Sequence, residues 1–442
     1  MKNIRRDFFT QKQLLSDWNP PKDWFEHDKL ATIFHQRASQ LAPGSVIAIQ
    51  GGWGTGKTDL LARIFIEERN RRLDEFAGKE KDAEKYYPIW INPWRQSVPD
   101  VISPIASILV NRLKLGKGER EKALNTMVSA GFAFLQKAGG AALMASGNPI
   151  IGGAIMGLPS LMGTYKKSNS DTLEWNDPMI KLGEAFSDLV GHSISSEEAE
   201  YGNRLLICID DLDRCAPGAQ VQIIESIIFL ASAGAPVTIY AGLDPAIVRT
   251  SIENRYHVNA FDAEQYLAKI FSTRFNLPER NGTELERALQ GIMKEEFPTS
   301  AGTDSLHDII RTRMNLSPDW FIDAGVRIFH DSKLGRARLM RKVMNDLFLF
   351  ASSGTQLHLR DFEHVLTFFT WLTICNQYPL ERQNLLADRS AIPEVATFIY
   401  RVHEGSKIYE TGPLWDPHLE IVEEQFIRDV KTLDPYLQIA GI

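Results

Sequence analysis

Cysteine is scarce in this chain: three among 442 residues, Cys208, Cys215 and Cys375. An odd count makes a poor disulfide framework, and the spacing gives no zinc-ligand pattern; the usage suits a reducing compartment. A basic surplus is missing too. The formal net charge is -7 and the pI about 5.9, which argues against a surface devoted to gripping nucleic acid, so direct nucleic-acid binding is not indicated. The opening stretch, MKNIRRDFFTQKQLLSDWNP, has basic groups but no apolar core long enough for a secretory signal. Together with the cysteine usage it leads us to expect a cytoplasmic protein. No internal repeat and no compositionally biased tail is visible.

What is present reads as globular: 44% hydrophobic and 24% charged residues, in a chain long enough for about two or three domains. The segment DKLATIFHQRASQLA has helical spacing, PGS punctuates it, and VIAIQ follows as a buried strand. Further candidate strands are YYPIWINPW, RLLICIDD and PVTIYAGLD, the last two separated by the helical QVQIIESIIFLASAG. Strands alternating with helices predict a parallel sheet. From about Glu284 onward the apolar spacing predicts mainly helices, among them RLMRKVMNDLFLF and RDFEHVLTFFTWLTI.

Between VIAIQ and the helix expected from Asp59 to Arg72 stand Gly51, Gly52, Trp53, Gly54, Thr55, Gly56, Lys57 and Thr58. This is the phosphate-loop pattern, glycine, four residues, glycine, lysine, then serine or threonine. Glycines let backbone N–H groups approach phosphate oxygens, and the helix N-terminus directs its positive end at the anion. Lys57 is placed to reach the β and γ phosphates, and Thr58 to offer its hydroxyl to Mg²⁺. A chance match arises in a chain this long roughly once or twice in a hundred, and the flanking strand and helix lower that further. We assign nucleotide contact to Gly52 through Asp59.

The strand LLICI delivers Asp210 and Asp211 at its end. Asp210 is the expected metal ligand, through water, beside Thr58. Asp211, one residue on, is expected to orient or activate the attacking water. The plainer alternative, a solvated turn, fits Asp213. Arg214 suits a stabiliser of transition-state charge or a partner for Asp213 or another carboxylate; pairing is the favoured alternative. Trp90 and Trp94 read as core packing. Asn92 and Asp244 fit turn formation as well as a role in the nucleotide crevice. His257 and His364 have no companion at metal spacing and read as ordinary histidines.

As an ordered set, GGWGTGKTDLL, INPWRQ, LLICIDDLDRC, VTIYAGLDPAIV, QYLAKIFSTRFNLP and RARLMRKVMNDL resemble the KAP family of phosphate-loop NTPases. The features shared are Trp53 within the loop, Asn92 and Trp94 after a strand, an Asp-Asp-x-Asp-Arg-Cys motif, and a later strand ending near Asp244. The resemblance runs from about Asp28 to Trp371. It implies an α/β fold with an additional-strand, AAA-like parallel sheet, ATP as the nucleotide, Mg²⁺, and Arg338 as a second sensor of the γ-phosphate. We expect an NTPase core over residues 1–276, with an apolar helical insert at about 98–200, and a mainly α-helical C-terminal region over 277–442.

From Ala138 to Tyr165 the chain carries no charge. Length alone permits a bilayer span, but Asn148-Pro149 and Pro159 divide it into short pieces. KAP proteins commonly insert transmembrane segments in this interval. Three alternatives follow, in order of support: a buried or self-associating helical hairpin, a membrane-dipping hairpin, and a glycine-rich loop. Self-association and a protein partner, encoded nearby, are expected, and membrane contact remains open through Ala138 to Tyr165.

The chemistry points first to an ATP-hydrolysing switch or remodeller. A nucleotide-gated scaffold with little turnover is the second alternative and a phosphate-loop kinase the third, because a kinase needs an acceptor pocket and a basic lid. KAP-like proteins in bacteria are often associated with phage exclusion, which the resemblance extends to this chain as an implied role.

Overall fold

The computed structural model describes residues 22–38, 40–76, 86–96, 204–232, 237–256, 262–278, 281–295, 305–330, 337–353, 361–387, 392–404 and 417–439, with residues 101, 102, 104, 105, 108 and 359. The apolar segment 138–165, most of the insert at 98–200, His257 and Arg336 lie outside these residues. Two compact units result. One takes in His27–Gly52 and the described part of Lys57–Leu277, the other Lys22–Glu26, Trp53–Gly56 and the described part of Pro278–Ile442.

The first unit runs α1 (His27–Ala38), β1 (Ser45–Gln50), α2 (Lys57–Phe76), β2 (Tyr86–Ile91), α3 (Pro93–Gln96), β3 (Arg204–Ile209), a 3₁₀ turn (Leu212–Arg214), α4 (Pro217–Ser232), β4 (Val237–Leu243), α5 (Pro245–Tyr256), α6 (Ala263–Ile270) and β5 (Thr273–Asn276). The five strands form one sheet in the order β2-β3-β4-β1-β5, and every pairing is parallel. β4 therefore lies between β1 and β3, which is the additional strand. The edge strand β5 was not evident from sequence: it has four residues alternating between half-buried and exposed, too short and too polar for a periodicity argument.

Strand side chains alternate between two apolar layers, as the twofold period requires. Val46 and Ala48 join Ile207, Ile209, Val221, Ile224 and Val248 on one face. Ile47 and Ile49 join Leu206, Leu60, Leu61 and Phe65 on the other. A sheet covered on both faces explains why β1, β3 and β4 read as continuous apolar runs. Each fully buried Ile or Leu contributes about 1.5–3 kcal/mol. Because all strands point one way, residues just beyond β1, β2, β3 and β4, namely Gly51, Asn92, Asp210 and Asp244, share one edge of the sheet. Backbone bonds tie this edge: Asp210 N–H donates to Ile91 O at 3.0 Å and Gly51 N–H to Leu243 O at 3.3 Å.

The second unit is helical: α7 (Gly282–Glu295), α8 (Leu306–Thr312), α9 (Pro318–Phe329), α10 (Ala337–Ser352), α11 (Phe362–Gln377), α12 (Pro379–Leu386), α13 (Pro393–Glu404) and α14 (Pro417–Ile439). Start signals are explicit, with a capping box between Ser305 and Asp308 and an Asp361 cap on the His364 N–H. RDFEHVLTFFTWLTI is more than amphipathic: every residue from Val365 to Ile374 is buried, so α11 is the central helix of its unit. Its threonines stay satisfied inside, Thr370 Oγ1 donating to Leu366 O at 2.7 Å and Thr373 Oγ1 to Phe369 O at 2.9 Å. Among the described residues no helix is long and apolar enough to cross a membrane.

Candidate nucleotide site

The loop after β1 adopts the backbone its sequence demands. Gly54 and Gly56 have φ of +80° and +110°, the left-handed side that glycine enters without steric cost. α2 begins at Lys57, so its unpaired N–H groups open onto the loop. Lys57 Nζ donates to Gly51 O at 2.7 Å and Gly52 O at 3.1 Å and lies 3.5 Å from Asp213 Oδ2. The lysine is folded back on its own loop. Trp53 is about half exposed, at 48%.

Thr58 Oγ1 donates to Asp210 Oδ1 at 3.1 Å, bringing the end of β3 to the start of α2. Burial, first, and the neighbouring Asp211 charge push the Asp210 carboxyl up to about 7, against the lowering effect of the Thr58 hydrogen bond. An oxygen-only pair in an excess of buried negative charge is what a hard divalent cation requires, so Thr58 and Asp210 fit Mg²⁺.

Asp211 stands apart from Asp210 although adjacent in sequence. Its φ of +58° is left-handed, rare for a residue other than glycine. This backbone turns the chain out of β3 into the 3₁₀ turn and lets its two oxygens meet different donors. Asn92 Nδ2 donates to Asp211 Oδ2 at 2.8 Å, and Arg214 Nε lies 2.7 Å from Asp211 Oδ1. Arg214 thus pairs with Asp211 rather than Asp213, and its guanidinium stacks 5.7 Å from the Trp94 ring centroid.

Two expectations need correcting. Trp94 is not core: it is 43% exposed, because α3 begins immediately after β2 and carries the ring off the sheet onto Arg214. Trp90 does pack inside, edge-on to Phe65 with centroids 6.2 Å apart. Asp213 is not solvated: it is 8% exposed, because the 3₁₀ turn folds it inward towards Lys57. The only sequence signal for Asp213 is the density of aspartates after an apolar strand.

The remaining candidates divide. Asp59 was expected at the nucleotide, yet its carboxylate is engaged by His27 Nδ1 and by Arg63 Nε, each at 2.8 Å. Burial pushes this carboxyl up, but those partners outweigh burial and hold it at about 2. Arg63 also donates to Asp28 Oδ1 at 2.6 Å, so the Asp59 side chain fastens α1 to α2. Gly52 and Thr55 are half-buried in the loop. Asn92 does two jobs: besides Asp211, its Oδ1 accepts from the Arg95 N–H at 3.1 Å. Asp244 Oδ1 accepts from the Ala246 N–H at 3.1 Å, capping α5. Arg338 stands exposed in the first turn of α10, in the other unit. His364 bonds Asp361 through Nδ1 at 2.7 Å. All three cysteines are free thiols.

Among solved structures, the Aeropyrum pernix ORC2 protein in its ADPNP-ADP complexes is similar at 12% identity and a TM-score of 0.38, over 96% of this chain and 99% of that one. Drosophila ORC bound to DNA is similar at 11% identity and a TM-score of 0.32, over 94% of this chain and 89% of that one. A DNA replication initiation factor follows at 13% identity and a TM-score of 0.28, over 96% and 100%. No curated protein matches the sequence. A family model, the KAP family P-loop domain, matches residues 28–373, the stretch that carries the loop, the additional strand and the aspartates beyond β3. The chain belongs to the KAP family of P-loop NTPases.

Proposed function

We propose that this protein binds Mg-ATP and hydrolyses it, and that nucleotide state makes it a switch or remodeller for a protein partner. The observation that carries the reading is Asp211 beside the Thr58 and Asp210 pair, with both its oxygens held by named donors. Thr58 and Asp210 would hold the cation, which when bound would neutralise charge on the phosphate oxygens. Lys57 exchanges the Gly51 and Gly52 carbonyls for phosphate oxygens. Asp211 orients a water towards the γ-phosphorus and takes its proton as the bond to the leaving diphosphate breaks. A positioned base contributes about 10²–10⁴-fold.

Steady-state phosphate release from Mg-ATP, measured across protein concentrations for the wild type, Lys57→Ala and Asp211→Asn, tests this. Release lost in both variants, with ATP binding kept in Asp211→Asn, supports hydrolysis. Release per molecule that rises with concentration supports self-association. Release unchanged in both variants overturns the assignment.

A second reading, a nucleotide-gated scaffold, is favoured by Lys57 turned onto its own loop and Arg214 closed on Asp211. Tight ATP binding with negligible release, with candidate partners present, selects it. The family resemblance supports anti-phage defence as the biological setting. Plaque formation on cells carrying the native gene neighbourhood, with the intact chain or Lys57→Ala, tests that role; equal plaquing across a broad phage panel removes it. Flotation with liposomes, with and without residues 138–165, tests membrane contact.

A further inference from the structure

Lys57 is engaged both by its own loop and by an acid of the 3₁₀ turn. Two of its bonds go to Gly51 O and Gly52 O, and the ammonium also faces Asp213 Oδ2 at 3.5 Å. Both side chains are more than nine-tenths buried, so water screens the pair poorly. Asp213 Oδ2 has no hydrogen-bond partner among the described residues. The carboxylate is held near the lysine by charge, without a directed bond.

The backbone carrying Asp213 is anchored from a separate helix. Gln220 Nε2 donates to Cys215 O at 2.8 Å and to Asp213 O at 3.3 Å, while Ser251 Oγ donates to Gln220 Oε1 at 2.8 Å. The 3₁₀ turn is therefore fixed to α4 and α5, so the Asp213 backbone is held by bonds that do not involve the lysine. When phosphate takes Lys57, a buried carboxylate loses its cation and gains anionic oxygens near it.

We propose that Asp213 is the resting counter-ion of Lys57 and opposes nucleotide binding, so that it sets affinity and speeds nucleotide departure. It is a positioning residue: it acts through Lys57. The inference rests on the nucleotide-binding reading above and adds a third role to the aspartates beyond β3, distinct from the cation-holding Asp210 and the water-orienting Asp211.

Two measurements test it. In equilibrium titration with a non-hydrolysable Mg-ATP analogue, Asp213→Asn is expected to bind about tenfold tighter than wild type, equivalent to about 1.4 kcal/mol. Its dissociation is slowed correspondingly. Unchanged or weaker binding overturns the opposing role. In nucleotide-free protein, Asp213→Asn is expected to lower Tm by about 2–4 °C when Lys57 is present. In the Lys57→Met background it raises Tm, because there it removes an unpaired buried charge. The same shift in both backgrounds overturns the ion pair. Failure of wild type to bind the analogue overturns nucleotide binding itself, and the Tm comparison then still decides whether Asp213 and Lys57 are coupled.

Discussion

Asn92 donates to Asp211 across 119 positions of sequence, 2.8 Å from Nδ2 to Oδ2, because β2 and β3 are neighbours that end at the same edge. One asparagine thereby caps α3 and fixes the carboxylate proposed to orient water. The left-handed backbone of Asp211, costing about 1–3 kcal/mol, is retained where the surrounding bonds over-determine it.

The two jobs of Asn92 separate by substitution. Asn92→Ala removes the donor to Asp211 and the acceptor for the Arg95 N–H, and is expected to lower kcat about 10–100-fold with KM little changed, and to cost about 1 kcal/mol of stability. Asn92→Asp keeps an acceptor for Arg95 but sets a carboxylate against Asp211, so kcat falls while the cap survives. Steady-state kinetics beside thermal unfolding checks both, and unaltered kcat in both variants removes Asn92 from the site.

The helical unit has an acid-sensitive point at His403. Burial, chiefly, pulls its pKa down from 6.5 to about 4; Asp429 works against this and Arg327 with it. Glu363 Oε2 is 4.0 Å from Nδ1, the Phe426 ring packs at 5.6 Å between centroids, and Nε2 has no hydrogen-bond partner among the described residues. The unfolded chain protonates first, so this contribution is full above about pH 6.5 and is lost as pH falls towards 4, about 3 kcal/mol in all. Denaturant titrations from pH 7 to pH 4 should show that slope flattened in His403→Gln.

Gly291 sits under the Trp24 ring: a Cβ there would stand 1.9 Å from Trp24 Cζ3. Gly291→Ala gains about 1 kcal/mol of helix propensity but forces the indole away, an overpacking cost of about 1–3 kcal/mol. We expect net destabilisation. In the Trp24→Leu background the same substitution should become neutral or stabilising, read by Tm; identical shifts in the two backgrounds would show that the ring is not what excludes a side chain.

Asp434 gathers three donors in the same unit: Trp371 Nε1 at 3.1 Å, Arg382 Nη2 at 2.9 Å and Gln438 Nε2 at 2.7 Å. Asp434→Ala leaves a buried indole N–H and a half-buried guanidinium without their acceptor, a loss of about 3–5 kcal/mol. Unfolding followed by Trp fluorescence should register it, with Asp434→Asn losing less.

Contiguous patterns were legible. Gly51 through Thr58 specify a phosphate loop by residue type and spacing, and VIAIQ, LLICI and VTIYAGL announce buried strands by unbroken apolar character. The same runs, together with YYPIWI, give the edge at which Asn92, Asp210 and Asp244 emerge. Less legible were segments where local pattern and environment part: β5 is short and polar, α11 is buried all round, and Trp94 looks like core until α3 carries it outward.

Sequence alone determined that three aspartates and an arginine follow β3, and that a lysine and a threonine follow β1. Only tertiary structure decided which meets which. Asp210 reaches Thr58 across 152 positions, Asp211 reaches Asn92 across 119, and Asp213 turns to Lys57. Those directions depend on β4 entering between β1 and β3, on parallel strand ends being level, and on one left-handed residue, Asp211, that rotates successive carboxylates apart. Local spacing cannot encode them, because partners so distant in sequence become neighbours only when the sheet is assembled.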